Sequence, residues 1–322
     1  MPLSCELLAP GEPIPAEWDR FVGEQALLRA WDGGAFAALA AAGQGRWLGM
    51  VHEGGRPVGL VCGRLRGRPG PALFECKMPW VGLPGFALAA ALDRADRRAA
   101  LVAFEQALRW RLGWRCPGVL YRLLGADELT LVRGFARAVI RTPYPRAVLR
   151  NDWASMDDYY LHLRRKLRHR LRSQYRQLER DPDLVVELGG GPVDGAEVGR
   201  LVRLTLLRHQ RRLPGPGGPP PAYFDALSGQ GVLYLAYRDT GGRLLGVNLV
   251  FDDGRWMTDS LWGSLDPADG GRANIYFHRF LRLISYMVQR QRAGINCGRG
   301  MLEIKQRYGC EAVAQHLVVG LR

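Results

Sequence analysis

Trp47-Leu-Gly-Met-Val-His-Glu53, Gly54-Gly55-Arg56-Pro57 and Val58-Gly-Leu-Val-Cys-Gly-Arg-Leu65 form two apolar runs around a glycine pair. The pattern returns as Leu233-Tyr-Leu-Ala-Tyr-Arg-Asp239, Thr240-Gly241-Gly242-Arg243 and Leu244-Leu-Gly-Val-Asn-Leu-Val-Phe251. Each copy spells a β-hairpin, because glycine supplies the positive φ that a tight turn requires. A further glycine, Gly59 or Gly246, follows each turn closely. Two copies this far apart predict one α/β unit used twice. The expected fold class is therefore mixed α/β, with two units in tandem and helices flanking each sheet.

Working outward, Glu17 to Ala42 carries helical periodicity in two pieces, Arg94 to Leu112 reads as a helix, and Gly118 to Leu124 as a strand. Before the second hairpin, Ser155 to Asp181 reads as one long helix and Gly195 to Arg211 as another. Leu213-Pro-Gly-Pro-Gly-Gly-Pro-Pro-Pro221 reads as a loop or lid. A strand over Arg255–Trp262, a loop to Arg272, a helix over Ala273–Gln291 and short strands at Ile295–Cys297 and Ala314–Val319 complete the order. The apolar Ala147-Val-Leu gives way to Asn151-Asp152, which places the junction near Arg150 and divides the chain into 1–150 and 151–322.

Of 322 residues, 47% are hydrophobic and 24% charged, which excludes disordered and fibrous classes. The longest uncharged stretch, Met78 to Leu92, is broken by Pro79 and Pro84 and falls short of the roughly 20 apolar residues of a spanning helix. The opening Met1-Pro-Leu-Ser-Cys-Glu6 lacks a basic stretch leading into an apolar one, so no secretory signal is expected. Six scattered cysteines without a C-x-x-C pair argue against zinc ribbons and disulfide scaffolds. The expectation is a cytoplasmic, reduced protein with no membrane span and no metal. The net charge is +14, yet only Lys77, Lys166 and Lys305 are lysines among 45 cations. Such arginine excess fits the coding bias of a GC-rich genome as well as it fits an anionic partner.

Four places carry candidate chemistry. Tyr160, Leu163, Leu167, Leu171, Tyr175 and Leu178 share one helical face, and the remaining faces hold Arg164, Arg165, Lys166, Arg168 and Arg172 among other cations. Like charges so crowded repel, and an anionic partner would relieve them; a solvated face is the plain alternative. Gly270-Gly271-Arg272-Ala273-Asn274 joins a strand to a helix, where backbone N–H groups and the helix dipole favour a phosphate. Lys305 and Tyr308 follow Gly298-Arg299-Gly300, and a lysine there suits an oxyanion or a phosphate. His209 and Asp259 are candidate acid/base groups. No Walker loop, H-E-x-x-H or nucleophile elbow occurs.

The order of basic helix, helix ending in His209, proline/glycine loop, hairpin, Gly263-Ser-Leu-Asp266 loop, helix, Gly298-Arg299-Gly300 and Ile304-Lys-Gln-Arg-Tyr-Gly309 resembles the tandem-GNAT acyltransferases related to the Fem-type peptidoglycan aminoacyltransferases. Glu17-Trp-Asp-Arg-Phe-Val22 also resembles the start of these proteins. The resemblance implies Lys305 at the family's lysine and Gly270, Gly271, Arg272 and Asn274 in the phosphate-loop position, with Tyr308 on the donor side. That loop departs from the usual Arg/Gln-x-x-Gly-x-Gly/Ala. It implies amide formation without a covalent enzyme intermediate, with no tightly bound cofactor. The donor would be acyl-CoA, an acidic acyl-carrier protein or an aminoacyl-tRNA; the acceptor, an amine of a peptide, natural product or cell-wall precursor. Residues 1–150 would then form the scaffold or acceptor side, and 151–322 the donor-binding and catalytic side. A nucleic-acid-binding protein that keeps the fold without catalysis is the alternative.

Overall fold

The computed structural model describes residues 2–67, 70–132, 139–141, 145–209 and 218–321, the side chains at 139–141 and 209 excepted. Both hairpins form. The first joins β2 (Trp47–Glu53) to β3 (Arg56–Arg66), and both turn glycines, Gly54 and Gly55, have positive φ. The second joins β10 (Val232–Asp239) to β11 (Leu244–Asp252). In each, the register slips by one residue directly before the noted glycine: Val51 faces Gly59 while His52 faces Pro57, and Tyr237 faces Gly246 while Arg238 faces Leu244. Two hairpins with a bulge at the same place are the same structural unit used twice.

Two compact units result, Met1–Pro145 with Ala314–Arg322, and Arg146–Val313. The first contains β1 (Leu3–Leu8), α1 (Ala16–Glu24), α2 (Gly33–Ala41), β2, β3, β4 (Leu73–Cys76), β5 (Phe86–Leu88), α3 (Arg94–Leu112), β6 (Gly118–Leu124), α4 (Ala126–Val132) and β7 (Val139–Arg141). The second contains β8 (Arg146–Arg150), α5 (Met156–His162), α6 (Arg165–Glu179), β9 (Leu184–Gly189), α7 (Gly195–His209), α8 (Pro221–Asp225), β10, β11, β12 (Trp256–Ser264), α9 (Ile275–Gln289), β13 (Gly294–Asn296), α10 (Leu302–Arg307) and β14 (Glu311–Val313). The last strand, β15 (His316–Leu321), returns to the first sheet. Strand orders are β1-β2-β3-β4-β6-β15-β7, with β5 on β3, and β14-β8-β13-β12-β11-β10-β9.

The observed partition differs from 1–150 and 151–322 in two strands. β8 pairs with β13 and β14 in the second sheet, and β15 pairs with β6 and β7 in the first. Strand pairing, a non-local property, sets the division where a change of local polarity had suggested another.

Side-chain packing explains why each sheet is layered with helices. In unit 1, Asp93 caps α3 by accepting from the Asp96 N–H at 2.8 Å, and the helix buries Leu101, Phe104 and Leu108 against β1 and β2. In unit 2 all nine residues of β11 are buried, as a strand covered on both faces must be. α7 lies so close to β12 that a Cβ on Gly263 would stand 2.5 Å from the Leu201 carbonyl carbon and the Val202 nitrogen. No described helix is long and apolar enough to cross a membrane. Gly263→Ala is expected to destabilise the protein by about 1–3 kcal/mol, because the backbone of α7 has to move, and chemical denaturation measures it.

Candidate functional site

β12 and β13 run parallel but pair only at Trp256–Gly294, Met257–Ile295 and Thr258–Asn296. β12 continues to Ser264, so the strands part beyond Thr258. At the parting β12 bulges: Val250 faces Asp259 and Leu249 faces Leu261, leaving Ser260 as the extra residue. In open α/β sheets the carboxyl ends of parallel strands are where ligands bind.

Arg279 of α9 reaches this bulge. Its guanidinium donates to Asp259 Oδ1 and Oδ2 at 2.8 and 2.9 Å and to Asn248 Oδ1, and lies over the rings of Tyr276 (4.6 Å) and Trp262 (5.1 Å). Asn248 Nδ2 also donates to Asp259 at 3.0 Å. Both oxygens of Asp259 thus serve a buried cation that does not release its proton. Asp259, expected from the sequence as an acid/base group, in this geometry anchors α9.

The loop before α9 is closed on the protein itself. Gly270 is left-handed (φ +88), and a Cβ on Gly271 would lie 2.4 Å from the Leu265 carbonyl oxygen. Arg272 Nε donates to Asp181 at 2.7 Å, and Asn274 Oδ1 accepts from Gln174 Nε2 at 3.0 Å. The loop lies between strand and helix as expected, but Arg272 and Asn274 are committed to Asp181, just beyond α6, and Gln174, within it.

A second place is open. The long helix expected over Ser155–Asp181 is broken, because Leu163 and Arg164 are extended (ψ 149° and 138°) between α5 and α6. The break borders a cleft of about 950 Å³. His162, Arg164, Lys166 and Arg170 line one side, and Glu303, Gln306 and Arg307 of α10 the other. The first turn of α6 contains no acid and its N-cap no side-chain bond, so the positive end of the helix adds to these cations. Among the residues expected to meet an anionic partner, Arg164 and Lys166 line the cleft, Arg165 is exposed and Arg168 is half-buried. Arg172 instead pairs with Asp157 and lies 4.6 Å over the Tyr160 ring.

Lys305 and Tyr308 are buried and do not line the cleft. Lys305 Nζ donates to the Cys297 carbonyl just beyond β13. Tyr308 packs against Phe277 and Phe280 at 6.1 and 5.7 Å, and its carbonyl accepts from the Tyr159 hydroxyl at 3.1 Å. Together they hold α10 in place. His209 ends α7, and its side chain lies outside the described residues, as do residues 213–217 of the expected lid.

Sequence reasoning passed over His162 and Glu303, which line the cleft; His162 stands directly before a helix break that no proline or glycine announces. It also passed over a hydrogen-bonded chain that runs from the core to the exposed Glu179. Tyr237 OH lies 3.0 Å from His278 Nδ1, and His278 Nε2 lies 2.9 Å from Glu179 Oε1, with Tyr175 stacked on the imidazole at 4.6 Å. A carboxylate only accepts, so Nε2 carries the proton, and Nδ1 accepts from the tyrosine. Burial pushes His278 down to about 4, against the opposing pull of Glu179, so the ring is neutral at pH 7. Among the described residues no group of three or more His, Cys, Asp and Glu is placed to hold a metal.

Residues 165–306, from the first turn of α6 to the cleft wall of α10, match the acetyltransferase (GNAT) domain model. The whole chain shares its fold with L-PGS from Bacillus licheniformis, at 13% identity and a TM-score of 0.65 over 97% of this chain and 93% of that one. FemX is similar at 11% identity and a TM-score of 0.58, over 97% and 96%. No curated protein matches by sequence. Residues 165–306 thus match a GNAT domain, and the chain as a whole shares the fold of L-PGS and FemX.

The low value at His278 has a definite sign. Between pH 6.5 and about 4 the unfolded chain binds a proton at this position that the folded protein refuses, so stability falls as pH falls through that window and levels off below it. His278→Gln is expected to flatten this slope in pH-dependent denaturation; an unchanged difference between wild type and variant from pH 7 to pH 4 would disprove it.

Proposed function

We propose that this protein is a tandem-GNAT acyltransferase that forms amides by moving an aminoacyl group from a tRNA 3′ end to an amine, with donor binding and catalysis in unit 2. One observation carries the choice of donor: the cleft gathers Arg164, Lys166, Arg170 and Arg307 against the single carboxylate of Glu303. A polyphosphate backbone supplies the charge these groups lack. Commitment of Arg272 to Asp181 and of Asn274 to Gln174 weighs against the pyrophosphate of CoA at the usual loop. A carrier-protein thioester ranks second, since an acidic carrier also suits the cations. Such a donor places the reaction in the cytoplasm.

The step needs a deprotonated amine, a held carbonyl and a stabilised oxyanion. His162, in the cleft, takes the proton from the attacking amine and returns it to the departing ribose oxygen as the ester carbon–oxygen bond breaks and the amide bond forms. Lys305 acts as a positioning residue that fixes the end of β13. Unit 1 provides the acceptor side, where a cavity of about 570 Å³ is bordered by Ile14, Asp19, Phe36 and Arg46. The acceptor is an amine of a peptide, natural product or cell-wall precursor.

The test offers bulk aminoacyl-tRNA, acetyl-CoA and an acyl-carrier protein with a panel of amines. Transfer from aminoacyl-tRNA alone is expected; transfer from CoA alone would overturn the donor assignment, and tRNA binding without any turnover would favour a nucleic-acid-binding protein. Arg164→Glu with Lys166→Glu is expected to raise KM for the donor at least roughly tenfold while kcat changes little. His162→Ala is expected to lower kcat by about 10²-fold or more.

A further inference from the structure

The tip of α3 presents Arg109-Trp110-Arg111-Leu112-Gly113-Trp114-Arg115, a segment none of the chemistry above uses. α3 is fixed to its sheet by Leu101, Phe104 and Leu108. Trp110 lies two residues beyond Leu108, about 200° round the helix, and so leaves the buried face, bordering an open hollow beside Leu3, Ser4 and Cys5. It is 92% exposed. Gly113 then takes a positive φ (+52), ends the helix, and starts a turn in which Trp114 is 71% exposed. The turn is anchored, because the Ala72 N–H donates to the Arg115 carbonyl at 2.8 Å and the next residue, Cys116, is buried. Arg109, Arg111 and Arg115 are exposed around the rings, with Glu12 meeting Arg111 at 3.2 Å.

Two indoles held in water on an anchored tip are costly unless something covers them. We propose that this tip is a docking surface for an anionic lipid bilayer, on which unit 1 rests while the chain stays peripheral. Indoles settle at the headgroup level of a membrane, with the ring in the apolar boundary and the N–H in the wet layer. Arginines flanking them meet the negative surface of the leaflet. Trp110 and Trp114 supply insertion and the three arginines supply charge complementarity, the two signals that stable peripheral binding needs. Stacking on single-stranded nucleic acid calls for successive rings set along a groove that tracks the backbone, and the hollow that Trp110 borders with Leu3, Ser4 and Cys5 does not include Trp114.

The test is co-sedimentation of the full chain with vesicles of 70% phosphatidylcholine and 30% phosphatidylglycerol. Because the remaining arginines attract any anionic surface, the deciding quantity is dependence on the indoles. Trp110→Ala with Trp114→Ala is expected to lower the partition constant at least roughly tenfold, since each ring has 150–250 Å² to bury. Neither side chain packs inside the protein, so the thermal melt should not move. In the wild type, lipid with brominated acyl chains should quench part of the tryptophan emission. Equal partition of variant and wild type, absence of vesicle binding, or no quenching by brominated lipid would overturn the proposal. Quenching by a single-stranded RNA that the double variant abolishes would overturn it in favour of nucleic acid.

Discussion

Arg279 is 2% exposed, and a guanidinium keeps its proton under all ordinary conditions, so its charge has to be met inside unit 2. Asp259 meets it with both oxygens, Asn248 with a third, and Tyr276 and Trp262 with their ring faces. Losing one partner of a buried pair typically costs about 3–5 kcal/mol, because the other is stranded. The pair therefore constrains geometry strongly, whatever its net contribution to stability. Asp259 stands beside the bulge at which β12 leaves β13, and Arg279 stands in the second turn of α9. By joining them, the pair sets where the strands part and how α9 crosses the sheet. The loop before α9 and the contacts of Arg272 with Asp181 and of Asn274 with Gln174 follow from that placement.

The hairpins, and with them the tandem unit, were legible because their signals are local: alternating apolar residues, paired glycines, and a further glycine beside each bulge. The helix from Arg94 to Leu112 was legible for the same reason, ending where Gly113 takes a positive φ. The break after His162 was not. Tyr160, Leu163 and Leu167 continue a helical stripe through it, and only Leu163, buried at the junction, shows how packing overrides the pattern. Ser155, which accepts from the Asp158 N–H, signals the start of α5 but not its end. The site residues were legible as types without their partners. A sequence shows an aspartate on a strand; it does not show that an arginine twenty residues later takes both its oxygens.

The exchange of β8 and β15 lay beyond local pattern altogether. Ala147-Val-Leu reads equally well as the last strand of one unit or the first of the next, since period and composition are the same in either sheet. In the structure all three are buried, with β13 on one side of β8 and β14 on the other. A strand inserted at that depth satisfies its N–H and C=O groups on both edges. Excising residues 146–150 would therefore detach β14 and leave an edge of β13 unpaired. The position explains why β8 precedes every other element of its unit in the chain yet is not an edge strand.

Genome bias and function make different demands on where cations sit. Bias raises the number of arginines without regard to place, and many here are spent internally: Arg64, Arg66 and Arg122 converge on buried Glu75, Arg292 on Asp252, Arg238 on Glu197. The cleft does not fit that account. Its cations face one another across an opening of about 950 Å³, beside the uncapped positive end of α6, where bias alone gains nothing and repulsion costs something. Of the three lysines that survive the drift to arginine, Lys166 lines the cleft, and Lys305 is buried on α10, the helix that supplies its other side. An arginine could not replace Lys305 without forcing a wide planar group into the space that a compact ammonium fills against the Cys297 carbonyl. Where lysine persists against the trend, geometry explains it, and the same geometry distinguishes the charge of the cleft from the charge of the surface at large.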